Sequence, residues 1–161
     1  METSKTSVPL FKTRTRLSAC PRMTGRLDVA ALGRAFDEII RRHEVLRTTF
    51  AAVNGRPQQV IAVALELKLE VEDLSGLAEA ERANEVTRLA DEEAQKPFDL
   101  AHGPLLRVSL VQLDDEDHVF LLTLHHIVSD GWSIGIFIEE LASLYDAFSS
   151  GKSSPLSQLP V

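Results

Sequence analysis

The chain contains a single cysteine, Cys20. That excludes an internal disulfide, and no neighbouring thiol or histidine gives it the spacing of a metal site or a redox pair. No apolar run is long enough to span a bilayer, and the opening METSKTSVPLFK lacks the apolar core of a signal peptide. A cytoplasmic setting is the expectation. Positive charge is in short supply too: 17 Lys and Arg stand against 24 Asp and Glu, a formal charge of -7. Such a surface repels phosphate backbones and anionic lipid, so no nucleic acid and no membrane is expected as a partner. The one basic cluster, Lys12, Arg14, Arg16, Arg22 and Arg26, carries no interleaved aromatics and reads as a solvated tail. No glycine-rich loop follows a strand-like run, which argues against a doubly wound nucleotide-binding sheet. There is no internal repeat.

What the chain does have is an ordinary globular balance, 44% hydrophobic and 25% charged over 161 residues, enough for one domain with a real core. Residues 1–22 are polar and basic, with Pro9 and Pro21 and no sustained period, and are expected to form a poorly ordered tail. In LDVAALGRAFDEIIRRHEVL, Leu32, Ala35, Phe36, Ile39, Ile40 and His43 recur at helical spacing, with Asp28 placed to cap the helix. The period then changes. Asn54-Gly55 sits between two strand-like runs and favours a tight hairpin. LELKLEV alternates strictly, which predicts a strand with one covered and one wet face. An alanine-rich charged helix is expected from about Ala78 to Gln95, ended by Pro97. LLRVSLVQL and HVFLLTLHH then read as an antiparallel pair, with Val119–Leu124 central. A last helix is expected over about Ser133 to Phe148, and residues 150–161 have linker composition. This order predicts an α/β fold, a sandwich of helices with a mixed or antiparallel sheet.

The chemistry concentrates in LHHIVSDGWS, Leu124–Ser133. Side chains alternate along a strand, so His125 and His126 point to opposite faces and cannot share a task. One ring is expected in the packed layers, the other where strand meets loop. Three readings compete: a satisfied core or rim histidine, a metal ligand set from HHxxxD, and a general base. Divergent rings and the lack of a supporting cluster argue against metal. Asp130 can orient the loop through an arginine or backbone amides, Gly131 makes the turn possible, and Trp132 opens the following helix. Together these favour the base.

LHHIVSDGWS resembles the HHxxxDG signature of condensation domains from nonribosomal peptide synthetases. RRHEVLRTTF, Arg41–Phe50, resembles a second motif of that family and brings in Arg42, His43, Glu44 and Arg47. PFDLAHGPLLRVSLVQL and RMTGRLDVAALGRAF resemble its intervening text, and the likeness covers about residues 22–160. The resemblance implies a chloramphenicol acetyltransferase-like half, two-layered, with residues 23–149 as the N-terminal lobe. It implies His126 as the catalytic residue, with His125, Asp130, Gly131 and Trp132 shaping the site. It implies peptidyl or acyl carrier proteins as partners, which present thioester donors and aminoacyl acceptors on phosphopantetheine arms for amide formation in secondary metabolite biosynthesis. No bound cofactor and no metal is implied.

Family members are two to three times longer, and they open with a glutamine- and aromatic-rich helix that SVPLFKTRTRLSACPRM does not match. The resemblance therefore implies an incomplete domain that acts with a separate C-terminal lobe or by self-association. A carrier-binding or relic fragment without catalysis, and a small trimeric acyltransferase, are the alternatives.

Overall fold

The computed structural model describes residues 12, 13 and 16–159, and for residues 12, 13, 16, 17, 53, 131 and 132 the backbone only. Its centre is the pair β8 (Leu106–Asp114) and β9 (Asp117–His125), antiparallel and joined at Asp115-Glu116. β9 is buried along its length from His118, as its apolar run on both faces requires. On its other side β9 pairs with β2 (Arg16–Ala19) and β3 (Arg22–Thr24), both antiparallel. β6 (Glu70–Asp73) joins β8 in parallel, which makes the sheet mixed. Two small ribbons stand apart: β1 (Lys12–Thr13) with β7 (Phe98–Asp99), and β4 (Thr48–Val53) with β5 (Arg56–Ile61). The β4–β5 turn is Asn54-Gly55, with φ of 52° and 74°, the left-handed pair a two-residue hairpin needs.

Among the described residues three α-helices cover the sheet. α1 (Val29–Arg42) and α3 (Gly131–Ser149) pack on one face. Leu32, Phe36 and Ile39 of α1 meet Leu110, Phe120 and Leu122 of the strands and Phe137 and Leu141 of α3 there. Phe36 stacks on Phe120 with ring centroids 5.3 Å apart. α2 (Glu79–Gln95) lies against the opposite face, where Val86, Leu89 and Ala90 back Val111, Val119 and Leu121. The expected α/β sandwich with a mixed sheet is therefore present, and α2 gives the sheet cover on its second side.

Several expectations need correction. The basic segment 1–22 is not a tail throughout: β2 lays Arg16–Ala19 along Leu122–His125, and β3 begins at Arg22. A central strand needs partners on both edges for its backbone, and this segment supplies them to β9. Residues 1–11, 14 and 15 lie outside the described residues. LELKLEV forms a strand only from Glu70. Leu65, Leu67 and Leu69 are half-buried against the main core as the alternation requires, but without a ladder. The segment 150–161 is more than a linker up to Leu159, because Leu156 packs on the core and the Ser157 carbonyl accepts from Arg42 Nη1 at 2.6 Å. Among the described residues no helix is long and apolar enough to cross a membrane.

Candidate functional site

β9 ends at His125 because its backbone then turns: the Val128 amide donates to the His125 carbonyl at 3.0 Å. His125 sits on the same face as Leu121 and Thr123 and is 4% exposed. Its ring packs edge-on against Phe98 of β7, centroids 5.5 Å apart. Arg107 stacks on Phe98 as well, 3.8 Å from the ring centroid, and binds the Glu93 carboxylate. The Ile127 amide donates to His125 Nδ1 at 3.0 Å, so Nδ1 accepts and a neutral ring carries its proton on Nε2. Burial, and then the nearby His126, push the His125 imidazole below its ordinary pKa. His125 is a neutral structural ring that ties the strand end to the turn.

His126 is placed differently. It is the first residue of the turn 126–128, outside the strand, and it is exposed. The two adjacent imidazoles are thus divided, one packed inside and one presented to solvent. Two elements hold the turn. Behind it, Phe98, Leu105 and Val128 form a small apolar cluster. Ahead of it, Asp130 caps α3, accepting from the Ser133 amide at 2.8 Å and from Ser133 Oγ at 2.7 Å, while the Asp130 amide donates to Ser133 Oγ at 2.7 Å. These contacts make Asp130 the N-cap of α3. Gly131, expected to make a turn possible, is instead the first helical residue. The backbone of Trp132 belongs to α3, and its side chain lies outside the described residues.

The second motif meets α3 rather than His126. His43 ends α1, its amide donating to Ile39 O at 2.9 Å. Its Nε2 lies 2.7 Å from Glu140 Oε2, and Arg42 Nη2 donates to Glu140 Oε1 at 3.2 Å. Burial alone would raise the Glu140 carboxyl. Hydrogen bonds and charge from His43 and Arg42 outweigh it and hold the group below the usual carboxylate range. Arg47 donates to the Ala62 carbonyl and pairs with Glu44 at 3.1 Å, which fastens the 3₁₀ turn 44–47 to the hairpin's exit. Arg42, His43, Glu44 and Arg47 are thus brought to one end of α1. Glu140, the shared partner of Arg42 and His43, was invisible in the sequence, since it lies 97 residues from His43 on a helix whose only sequence signal is its apolar stripe.

Between this clamp and the histidine turn lies a cavity of about 180 Å³, walled by Leu46, Leu124, Val128, Ser129, Ile134 and Phe137 among others. His126 is not part of its wall, although Val128 and Ser129 come from the same loop. Among the described residues, no group of three or more His, Cys, Asp or Glu is gathered to hold a metal ion.

The decisive comparison is with the condensation-domain family, whose model matches residues 11–161. The chain belongs to that family. The match takes in β1 and β2, from the segment that does not resemble the family's usual opening helix. Chondramide synthase of Chondromyces crocatus is 50% identical over 139 residues, 86% of this chain and 4% of that protein. Among solved structures, the first condensation domain of the calcium-dependent antibiotic synthetase, in complex with a substrate analogue, is similar at TM-score 0.81 and 30% identity. That alignment covers 91% of this chain and 35% of the other. An X-domain from teicoplanin biosynthesis, in complex with OxyB, gives TM-score 0.81 and 31% identity over 92% of this chain and 32% of the other. The chain therefore spans a few per cent of that synthase and about a third of the matched solved chains.

Proposed function

We propose that this condensation-domain chain carries the histidine of an amide-forming transfer, in which an amine on one carrier-protein-bound substrate attacks a thioester on another. The observation that carries the reading is the division of the pair: His125 is neutral, buried and hydrogen-bonded to the turn, while His126 is exposed on that turn beside a capped helix start.

The amine's nitrogen adds to the thioester carbonyl, the tetrahedral intermediate expels the pantetheine thiolate, and the amine's proton is transferred, on balance, to that sulfur. An α-amino group of pKa about 7.7–8 is already about a tenth to a sixth neutral at pH 7. His126 need not create the nucleophile. It accepts the proton as the intermediate forms, or orients the amine, and each role contributes on the order of a hundredfold or more. Asp130 holds the turn and takes no proton.

An exposed imidazole on one side of a reaction needs an opposite wall to exclude water and align two pantetheine arms. The rest of a condensation-domain fold, in the same polypeptide or another, supplies it. The test is to combine this chain with the remainder of a condensation domain and two loaded carrier proteins. We expect His126→Ala to lower the condensation rate about a hundred- to ten-thousand-fold. Equal product from wild type and variant overturns the catalytic role. A second reading has support of its own, since a related fold is seen in complex with OxyB. In that case the chain docks a protein, and carrier binding persists without His126-dependent product.

A further inference from the structure

We propose that the cavity behind the histidine turn is a binding subsite for one six-membered ring bearing a single hydrogen-bonding atom, a phenol-sized group, with Ser129 as its polar anchor. Among the described residues that line it, the wall is apolar apart from three side chains. His43 reaches Glu140 through Nε2, and Ser133 is engaged with Asp130. Ser129 is 8% exposed, lines the cavity, and its Oγ has no hydrogen-bond partner among the described residues. A buried hydroxyl left in that state costs free energy unless something in the cavity meets it.

Water is a poor candidate for that role. An ordered buried water needs two to four polar partners, and among the described side chains of this wall one hydroxyl is uncommitted. An apolar cavity of about 150 Å³ takes a benzene ring, so the 180 Å³ here suits a ring with one substituent. The mouth lies where the wall is open to solvent, at Val45 and Ile136, 40% and 42% exposed. Val128 and Ser129 belong to the same loop as His126, so filling the cavity also stiffens the support of that imidazole.

Binding is independent of the catalytic reading. Only the natural source of the ring, the side chain of an acyl or aminoacyl substrate, rests on it. The experiment titrates the full chain with p-cresol and with toluene while amide and methyl NMR shifts are followed. We expect p-cresol to move signals of Val128, Ser129, Ile134 and Phe137. Ser129→Ala should weaken p-cresol about three- to tenfold and leave toluene unchanged. Ile136→Trp, at an exposed rim position, should block both probes without unfolding the chain. The site is overturned if millimolar p-cresol leaves those signals still, if Ile136→Trp leaves binding intact, or if Ser129→Ala binds p-cresol as wild type does. A chain that binds p-cresol but shows no His126-dependent condensation keeps the site and loses the proposed function. The reverse result does the opposite.

Discussion

At His125, burial and a hydrogen bond act together. The ring is removed from water against Phe98, and its Nδ1 is already occupied by the Ile127 amide. Protonation would place a charge in a buried site beside His126 and break the acceptor role. The folded pKa lies below the unfolded value of about 6.5, so the unfolded chain binds the proton more readily. Stability is therefore unaffected above that pH and falls as pH drops below it. Urea midpoints measured at pH 7.5 and 5.5 check this: the acid-side loss in wild type should shrink in His125→Asn, which keeps an acceptor and lacks the titration. The period of two predicted rings on opposite faces of a strand; the fold instead divides them by ending β9 at His125 and setting His126 in the turn that follows. The partner that receives His125 was not legible, because Phe98 arrives from a two-residue strand that no periodicity marks.

Among elements, α3 does most to place the loop, and it is fixed at its start by Asp130 and near its middle by Glu140. If Asp130 acts as a cap, Asp130→Ala should cost about 1 kcal/mol in urea unfolding, whereas Asp130→Asn, an equally good cap, should cost much less. A large loss in Asp130→Asn would assign the carboxylate a role beyond capping. Glu140 joins α1 to α3 through Arg42, whose side chain is 5% exposed. Glu140→Ala leaves that guanidinium buried with, among the described residues, the Ser157 carbonyl as its hydrogen-bond partner, and should cost about 2–4 kcal/mol. Because Glu140 is held below the usual carboxylate range, its contribution is complete above about pH 4.5 and fades as the pH falls through the folded value. Wild type and Glu140→Gln should therefore converge in stability in acid. α1 and α3 were readable from their apolar stripes, α2 from its charged, alanine-rich composition, and the start of α1 from Asp28, which accepts from the Ala31 amide at 2.9 Å. The start of α3 falls two residues before the place its apolar pattern suggests, because Gly131 has the look of a turn residue while DGWS is in fact a cap with a hydroxyl at its third position.

On the scale of the whole molecule, the fold takes two neighbouring residues of one chemistry and gives them separate environments. α2 and Phe98 of β7 cover one face of β9, and the strand's end releases the next residue onto a turn. The contribution of the first 22 residues was hidden, since β2 and β3 carry arginines rather than an apolar alternation and join the sheet by backbone pairing with β9. The cavity was equally hidden, because its wall gathers α1's end, the 3₁₀ turn, β9 and α3 from distant stretches of chain. The division of the histidines is a property of the folded state, so it disappears on unfolding. Diethylpyrocarbonate labelling of the native chain near pH 7, followed by peptide mass mapping and repeated in urea, reads it directly. The native chain should modify His126 and spare His125 while both react alike in urea; a native His125 that reacts as fast as His126, or a protected His126, would contradict the account.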